Sequence, residues 1–229
     1  MPWSDQIPPA LDRVIAFSRV GRAAGWTRAE LEQTGEMWRS PDTSAMAFTA
    51  RQWIDARTVG FSWRARFPMM PFVALYVEDA FEHDEGRLTG RLWGWVRLFQ
   101  QKGPEVNRGQ AIRYLAELVW APAAYLGNEK LHWEETAEGL LRVSCEVAGA
   151  RVHVDFEVDS EGRIVSARAA DRPREVDGAF IETPWIGRFD DWQEVGGLMV
   201  PMRGEVAWEL PEVTFTYWRG RITQHAVQI

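Results

Sequence analysis

The chain has 229 residues, 46% hydrophobic and 26% charged, with a net charge of −7 and a pI near 5.2. That balance argues for a globular protein over a disordered or fibrous one, and its negative charge repels phosphate backbones, which argues against nucleic-acid binding. A single cysteine, Cys145, excludes an internal disulfide, and no uncharged apolar run approaches the ~20 residues that span a bilayer.

The first nine residues lack the basic and apolar regions of a secretory signal. With the lone cysteine, this leads us to expect a cytoplasmic protein. Residues 1–30 are expected to form an N-terminal helical segment. Leu11, Val14, Ile15 and Phe17 recur at helical spacing behind Pro8 and Pro9, with Gly21 or Gly25 as the stop.

Over residues 31–104 the period falls to two. Glu32 to Trp38 and Ala47 to Trp53 read as strands joined by the polar turn Ser40 to Ser44. Gly60 to Phe67 sets Phe61, Trp63, Ala65 and Phe67 on one face against Arg64 and Arg66 on the other. Phe72 to Phe81 and Gly86 to Phe99 follow, separated by an acidic turn at Glu82 to Gly86. Gly90 and Gly94 fall inside the second of these strands, where glycine is costly unless a backbone, bend or ligand comes close. A sheet bent around a helix would suit them.

That helix is predicted over 105–122. Asn107 is a candidate cap with Gln110 three residues on, Ile112, Leu115, Ala116 and Val119 form an apolar stripe, and Pro122 is a stop. Arg113 and Glu117 are four apart and can touch. Residues 131–229 return to strands, with turns at Asp159 to Gly162, Val195 to Leu198 and Pro211–Glu212 and a break in the pattern at Pro184 to Gly187. No linker or fixed-period repeat divides the chain, so 1–229 reads as one domain.

Thirteen tryptophans stand out. Trp53, Trp63, Trp93, Trp95, Trp133, Trp208 and Trp218 lie in alternating runs, which would line one face of a sheet with rings. The expected fold is α+β: a single curved antiparallel sheet, an open half-barrel, wrapped over one or two helices.

Recognisable chemistry is sparse. His83, His132, His153 and His225 lack metal-ligand spacing, and no phosphate, dinucleotide or nucleophile-elbow motif occurs. We therefore expect no metal and no cofactor. Cys145 alternates with Val143 and Val147 and reads as a small buried hydrophobe. Glu117, placed on a helix inside a curved sheet, is either a desolvated general acid or base or a pin that pairs with Arg66 or Arg203.

The candidate ligand-binding set is Trp63, Arg66, Arg113, Tyr114, Glu117, Trp120, Trp133, Trp185 and Trp208. Its rings serve equally as core. Three function classes stay open: non-enzymatic binding of an apolar small molecule or lipid, an enzyme using Glu117, and an interaction protein using an exposed aromatic patch or strand edge.

Several stretches, in order, resemble a bacterial family that carries only a domain-of-unknown-function label. They are Pro8 to Val20, Phe48 to Gln52, Gly60 to Arg66, Arg113 to Pro122, Pro184–Trp185, Gly196 to Pro201 and Glu205 to Trp208. The run Arg113-Tyr114-Leu115-Ala116-Glu117 with Trp120 and Pro122 is the most specific. The layout is also similar to the LolA-like lipoprotein-carrier fold, an antiparallel half-barrel over helices, and this resemblance implies an apolar or acyl ligand.

Overall fold

The computed structural model describes residues 7–22 and 25–229. The N-terminal hexapeptide that enters the export-signal reading lies outside them.

One antiparallel sheet organises the molecule. Its strands in chain order are β1 (Arg28–Met37), β2 (Met46–Asp55), β3 (Phe61–Met70), β4 (Val73–Glu82), β5 (Glu85–Leu92), β6 (Val96–Gln101), β7 (His132–Ala137), β8 (Leu140–Val147), β9 (Ala150–Val158), β10 (Ile164–Val176), β11 (Ala179–Val195), β12 (Leu198–Glu209) and β13 (Thr214–Gln228). Two meanders, β1 to β6 and β7 to β13, are joined where β1 pairs with β13. The order β6-β5-β4-β3-β2-β1-β13-β12-β11-β10-β9-β8-β7 leaves β6 and β7 as edges. The sheet is therefore an open half-barrel.

Residues 102–131 carry the chain from one edge to the other across the concave face. They hold α2 (Pro104–Ala116), a 3₁₀ turn (Glu117–Trp120) and α3 (Ala124–Gly127). Because the sheet wraps around them, α2 and the 3₁₀ turn are buried on most sides: Ile112, Tyr114 and Leu115 of α2 and Leu118 and Val119 of the turn are at most 1% exposed. Each such side chain contributes roughly 1.5–3 kcal/mol of burial. The shorter α1 (Pro9–Ser18) packs Leu11 and Val14 near β7, β8 and β12.

Glycine makes the wrapping possible where the helix comes closest. A Cβ on Gly86 would lie 2.9 Å from the Val106 carbonyl oxygen, so α2 rests directly on the β5 backbone. At the seam between the meanders, Gly35, Gly220 and Gly204 sit opposite one another on β1, β13 and β12. The rings of Phe48, Trp218 and Trp120 fill the hollow that these three missing side chains leave.

Several expectations are corrected. α1 ends at Ser18 with Arg19 left-handed (φ 58°), ahead of either candidate glycine, and β1 starts at Arg28. α2 begins at Pro104 behind Gly103, one turn before Asn107. Asn107 instead accepts the Gly86 backbone N–H on its side-chain oxygen at 2.8 Å. β11 runs straight through Pro184 to Gly187. Pro184 is tolerated because the β10 ladder bulges opposite it and β12 pairs only from Trp185 onward, so no N–H is required there. Trp93 and Trp95 do not line the concave face: Trp93 and Gly94 are both left-handed (φ 54° and 83°) and form the β5–β6 turn.

Candidate functional site

Between α2 and the concave face lies a cleft of about 410 Å³. Strand alternation directs Trp63, Trp185, Trp208 and Trp218 into it, and Trp120 enters from the 3₁₀ turn. Most of these indoles have their polar atom satisfied elsewhere. Trp63 donates to Gln33 Oε1 (2.9 Å), Trp120 to the Pro201 carbonyl (2.8 Å) and Trp185 to the Tyr217 hydroxyl (3.0 Å). The rings therefore present apolar faces inward.

One end of the cleft is closed by a connected polar chain. Trp63 bonds Gln33, Gln33 bonds Gln52 (2.7 Å), and Gln52 donates to Glu117 Oε2. The other Glu117 oxygen accepts from Arg113 Nε at 2.8 Å, Arg113 continues to Asp79, and Gln110 donates to Asp79 as well. The Arg113 guanidinium also lies 5.0 Å and 5.1 Å from the ring centroids of Phe61 and Trp63. Burial pushes the Glu117 carboxyl above its usual range, with Arg113 and Gln52 pulling part of the way back. Burial also opposes charge on Arg113, but Glu117 and Asp79 together hold it protonated.

This chain ties α2 to β1, β2, β3 and β4. Both Glu117 oxygens have partners, and the pinning partner is Arg113, not Arg66 or Arg203. Arg66 points from the convex face, and Arg203 reaches towards Asp191 at 3.7 Å.

Of the nine residues singled out from sequence, the cleft brings together Trp63, Arg113, Glu117, Trp120, Trp185 and Trp208. Three lie elsewhere. Tyr114 is wholly buried, its hydroxyl donating to the Asp55 carbonyl and accepting from Asn128, and burial raises its pKa. Trp133 packs edge-on against Tyr125 and stacks on Phe156 beneath α3. Arg66 belongs to a larger, charged groove of about 1220 Å³ on the convex surface.

Two cleft residues escape the sequence reading. Arg172 lies over the rings of Trp185 (4.8 Å) and Trp208 (5.5 Å) and donates to the Tyr217 hydroxyl at 3.2 Å. Arg174 lies 5.9 Å from the Trp208 centroid. Neither forms an ion pair among the described residues. Their spacing of two carries the signal, but the strand pattern fades at Ala169 because the ladder bulges there.

A family model of unknown function, DUF6544, matches residues 3–220. The chain belongs to that family. The DUF6544 chain is also similar to a crystal structure of a domain from Vibrio parahaemolyticus named as an outer membrane lipoprotein-sorting protein. The two are 12% identical, the TM-score is 0.52, and the alignment covers 95% of this chain and 92% of that one. A LolA superfamily protein from Nitrosomonas europaea (9% identity, TM-score 0.46, 96% and 92% covered) and a DUF1329 family protein from Desulfovibrio piger (8%, 0.40, 96% and 92%) also match. Comparison with curated proteins gives no match. The first likeness fits the half-barrel built up above.

Among the described residues, no group of three or more His, Cys, Asp or Glu could hold a metal ion, and no helix is long and apolar enough to cross a membrane.

Proposed function

We propose that this DUF6544 protein binds a lipid-like amphiphile without transforming it. The apolar part lies in the cleft between α2 and the sheet, and an anionic head lies against Arg172 and Arg174. The observation that carries this reading is the cleft: about 410 Å³, within the roughly 300–1,000 Å³ of ligand sites, walled by indole faces, with two arginines that lack carboxylate partners among the described residues. The Vibrio domain of similar fold is named for lipoprotein sorting, which supports an acyl-bearing occupant. Since Arg113 and Glu117 bond one another, they are assigned to holding the cleft open and the head is assigned to the β10 arginines.

Titration with saturated fatty acids of increasing length tests the reading. Each methylene that enters the cleft should tighten binding about fourfold until the volume is filled. Exchange of the carboxylate for an alcohol, or Arg172→Gln with Arg174→Gln, should weaken it about tenfold or more, the usual loss for a charged hydrogen bond. Failure of every chain length to bind would overturn the proposal.

A further inference from the structure

Two neighbouring hairpins leave large apolar side chains in water. The β3–β4 turn presents Met70 (67% exposed) and Phe72 (98%), and the β5–β6 turn presents Trp93 (48%) and Trp95 (76%). The turns are locked together: the Trp93 backbone N–H donates to the Ala74 carbonyl at 3.0 Å and its indole to the Phe72 carbonyl at 3.1 Å. The Trp93 and Trp95 rings stack at 6.2 Å. Turn chemistry does not ask for these residues. Phe72 (φ 65°) and Trp93 (φ 54°) occupy the left-handed region, where glycine, asparagine or aspartate would be favoured and a bulky ring is an outlier.

Beside these tips the convex face carries an unusual row. Strand register sets Arg66 opposite Tyr76, Tyr76 opposite Arg91, and Arg91 opposite Arg97. None of these arginines has an ion pair among the described residues; Arg97 donates only to Gln100, at 3.1 Å. Like charges directly opposite destabilise a sheet. Two residues further from the tips on β3 and β4 the charges are paired, with Arg64 bonded to Glu78 at 2.9 Å. In a chain of net charge −7, a row of unneutralised arginines next to exposed rings calls for an anionic partner.

We propose that the β3–β4 and β5–β6 hairpins form a docking surface for an anionic lipid bilayer. Trp93 and Trp95 enter the headgroup boundary, where amphipathic indoles are favoured, Phe72 enters the apolar layer beside it, and Arg66, Arg91 and Arg97 meet lipid phosphates. A protein partner would have to pocket four separate protruding side chains and also supply carboxylates at the strand spacing. A fluid bilayer supplies both without shape complementarity. The observations lie outside the cleft and do not depend on what it binds.

Cosedimentation with large unilamellar vesicles tests this, comparing 3:1 phosphatidylcholine:phosphatidylglycerol with phosphatidylcholine alone at low and high salt. The protein should bind the anionic vesicles and release as salt rises. Arg91→Gln with Arg97→Gln should weaken binding about 25-fold, from roughly fivefold per arginine. Phe72→Ser with Trp95→Ser should abolish it, and both double variants should keep the parent melting curve because Phe72, Trp95 and Arg97 are exposed and Arg91, half-buried, has no ion pair among the described residues to lose. No binding to either vesicle, or binding that both double variants retain, would overturn the proposal. So would a concentration-dependent mass that Phe72→Ser with Trp95→Ser removes while vesicles bind nothing, because that result assigns the surface to protein contact.

Discussion

Arg113 donates from Nε to Glu117 Oε1 at 2.8 Å across the turn where α2 gives way to the 3₁₀ turn. The pair lies inside the half-barrel with side chains 15% and 13% exposed, so removing Glu117 leaves the buried Arg113 with Asp79 as its remaining carboxylate. We expect Glu117→Ala to lower stability by about 3–5 kcal/mol. Glu117→Gln, which keeps an acceptor for Gln52 or Arg113, should cost about 1–3 kcal/mol. Urea unfolding of both variants measures this. Unchanged stability in both would remove the pinning role.

The glycine seam gives a second prediction. A Cβ on Gly35 would fall 2.1 Å from the Arg219 carbonyl oxygen and 2.7 Å from the Phe48 ring. Gly35→Ala must therefore push β1 away from β13, and it must shift Phe48 as well. A loss of about 1–3 kcal/mol is expected, read as a lower thermal midpoint. Gly149→Ala meets no atom within 4 Å, although its φ of 80° adds a backbone cost. Gly21→Ala, also in open space and without a positive φ, is the neutral control.

Much of this architecture is legible in the residues. The alternation of Phe61, Trp63, Ala65 and Phe67 against Arg64 and Arg66 fixes the inward face of β3, and Gly196–Gly197 marks a turn in which both residues are left-handed (φ 61° and 87°). Other features are hidden for physical reasons. Period alone does not separate a strand from a turn at the β5–β6 junction: Trp93, Gly94 and Trp95 fit a strand until the positive φ angles at the first two are known. The partner of Glu117 is ambiguous in sequence because its choice depends on which strand face meets α2. Arg172 and Arg174 are hidden by a bulge, which shifts register without leaving a compositional mark.

His225 supplies a pH signature. Its Nε2 lies 2.8 Å from the Trp120 carbonyl, which can only accept, so Nε2 carries a proton. Burial lowers its pKa below the ordinary 6.5, against the pull of that hydrogen bond. Between the lowered value and 6.5 the unfolded chain binds more protons than the folded one, so stability rises with pH through that window and is flat above it. Glu117 has the opposite sign: from 4.5 up to its raised folded value the folded chain holds the extra proton, and stability falls as pH rises. Because Glu117 pulls the other way in both proteins, the comparison isolates His225: from pH 7.5 to pH 5.5 we expect the parent to lose more stability than His225→Gln. Equal losses in urea unfolding would contradict the assignment to His225.

Cys145 is fully buried on β8, and burial pushes its thiol pKa up to about 12. The thiolate is the reactive form. Labelling by a disulfide reagent at pH 8 should therefore track unfolding, with a rate that rises with urea. Rapid labelling of the native protein would show that β8 opens on its own.

The central claim is that the cleft between α2 and the sheet holds an amphiphile. Native mass spectrometry with hexadecanoic acid, run on the parent and on Val206→Trp, tests it most directly, because Val206 lines the cleft and a tryptophan there would fill it. A one-to-one complex in the parent that disappears in a folded Val206→Trp is the expected result. No complex in the parent, or a complex that the variant retains, would contradict the account.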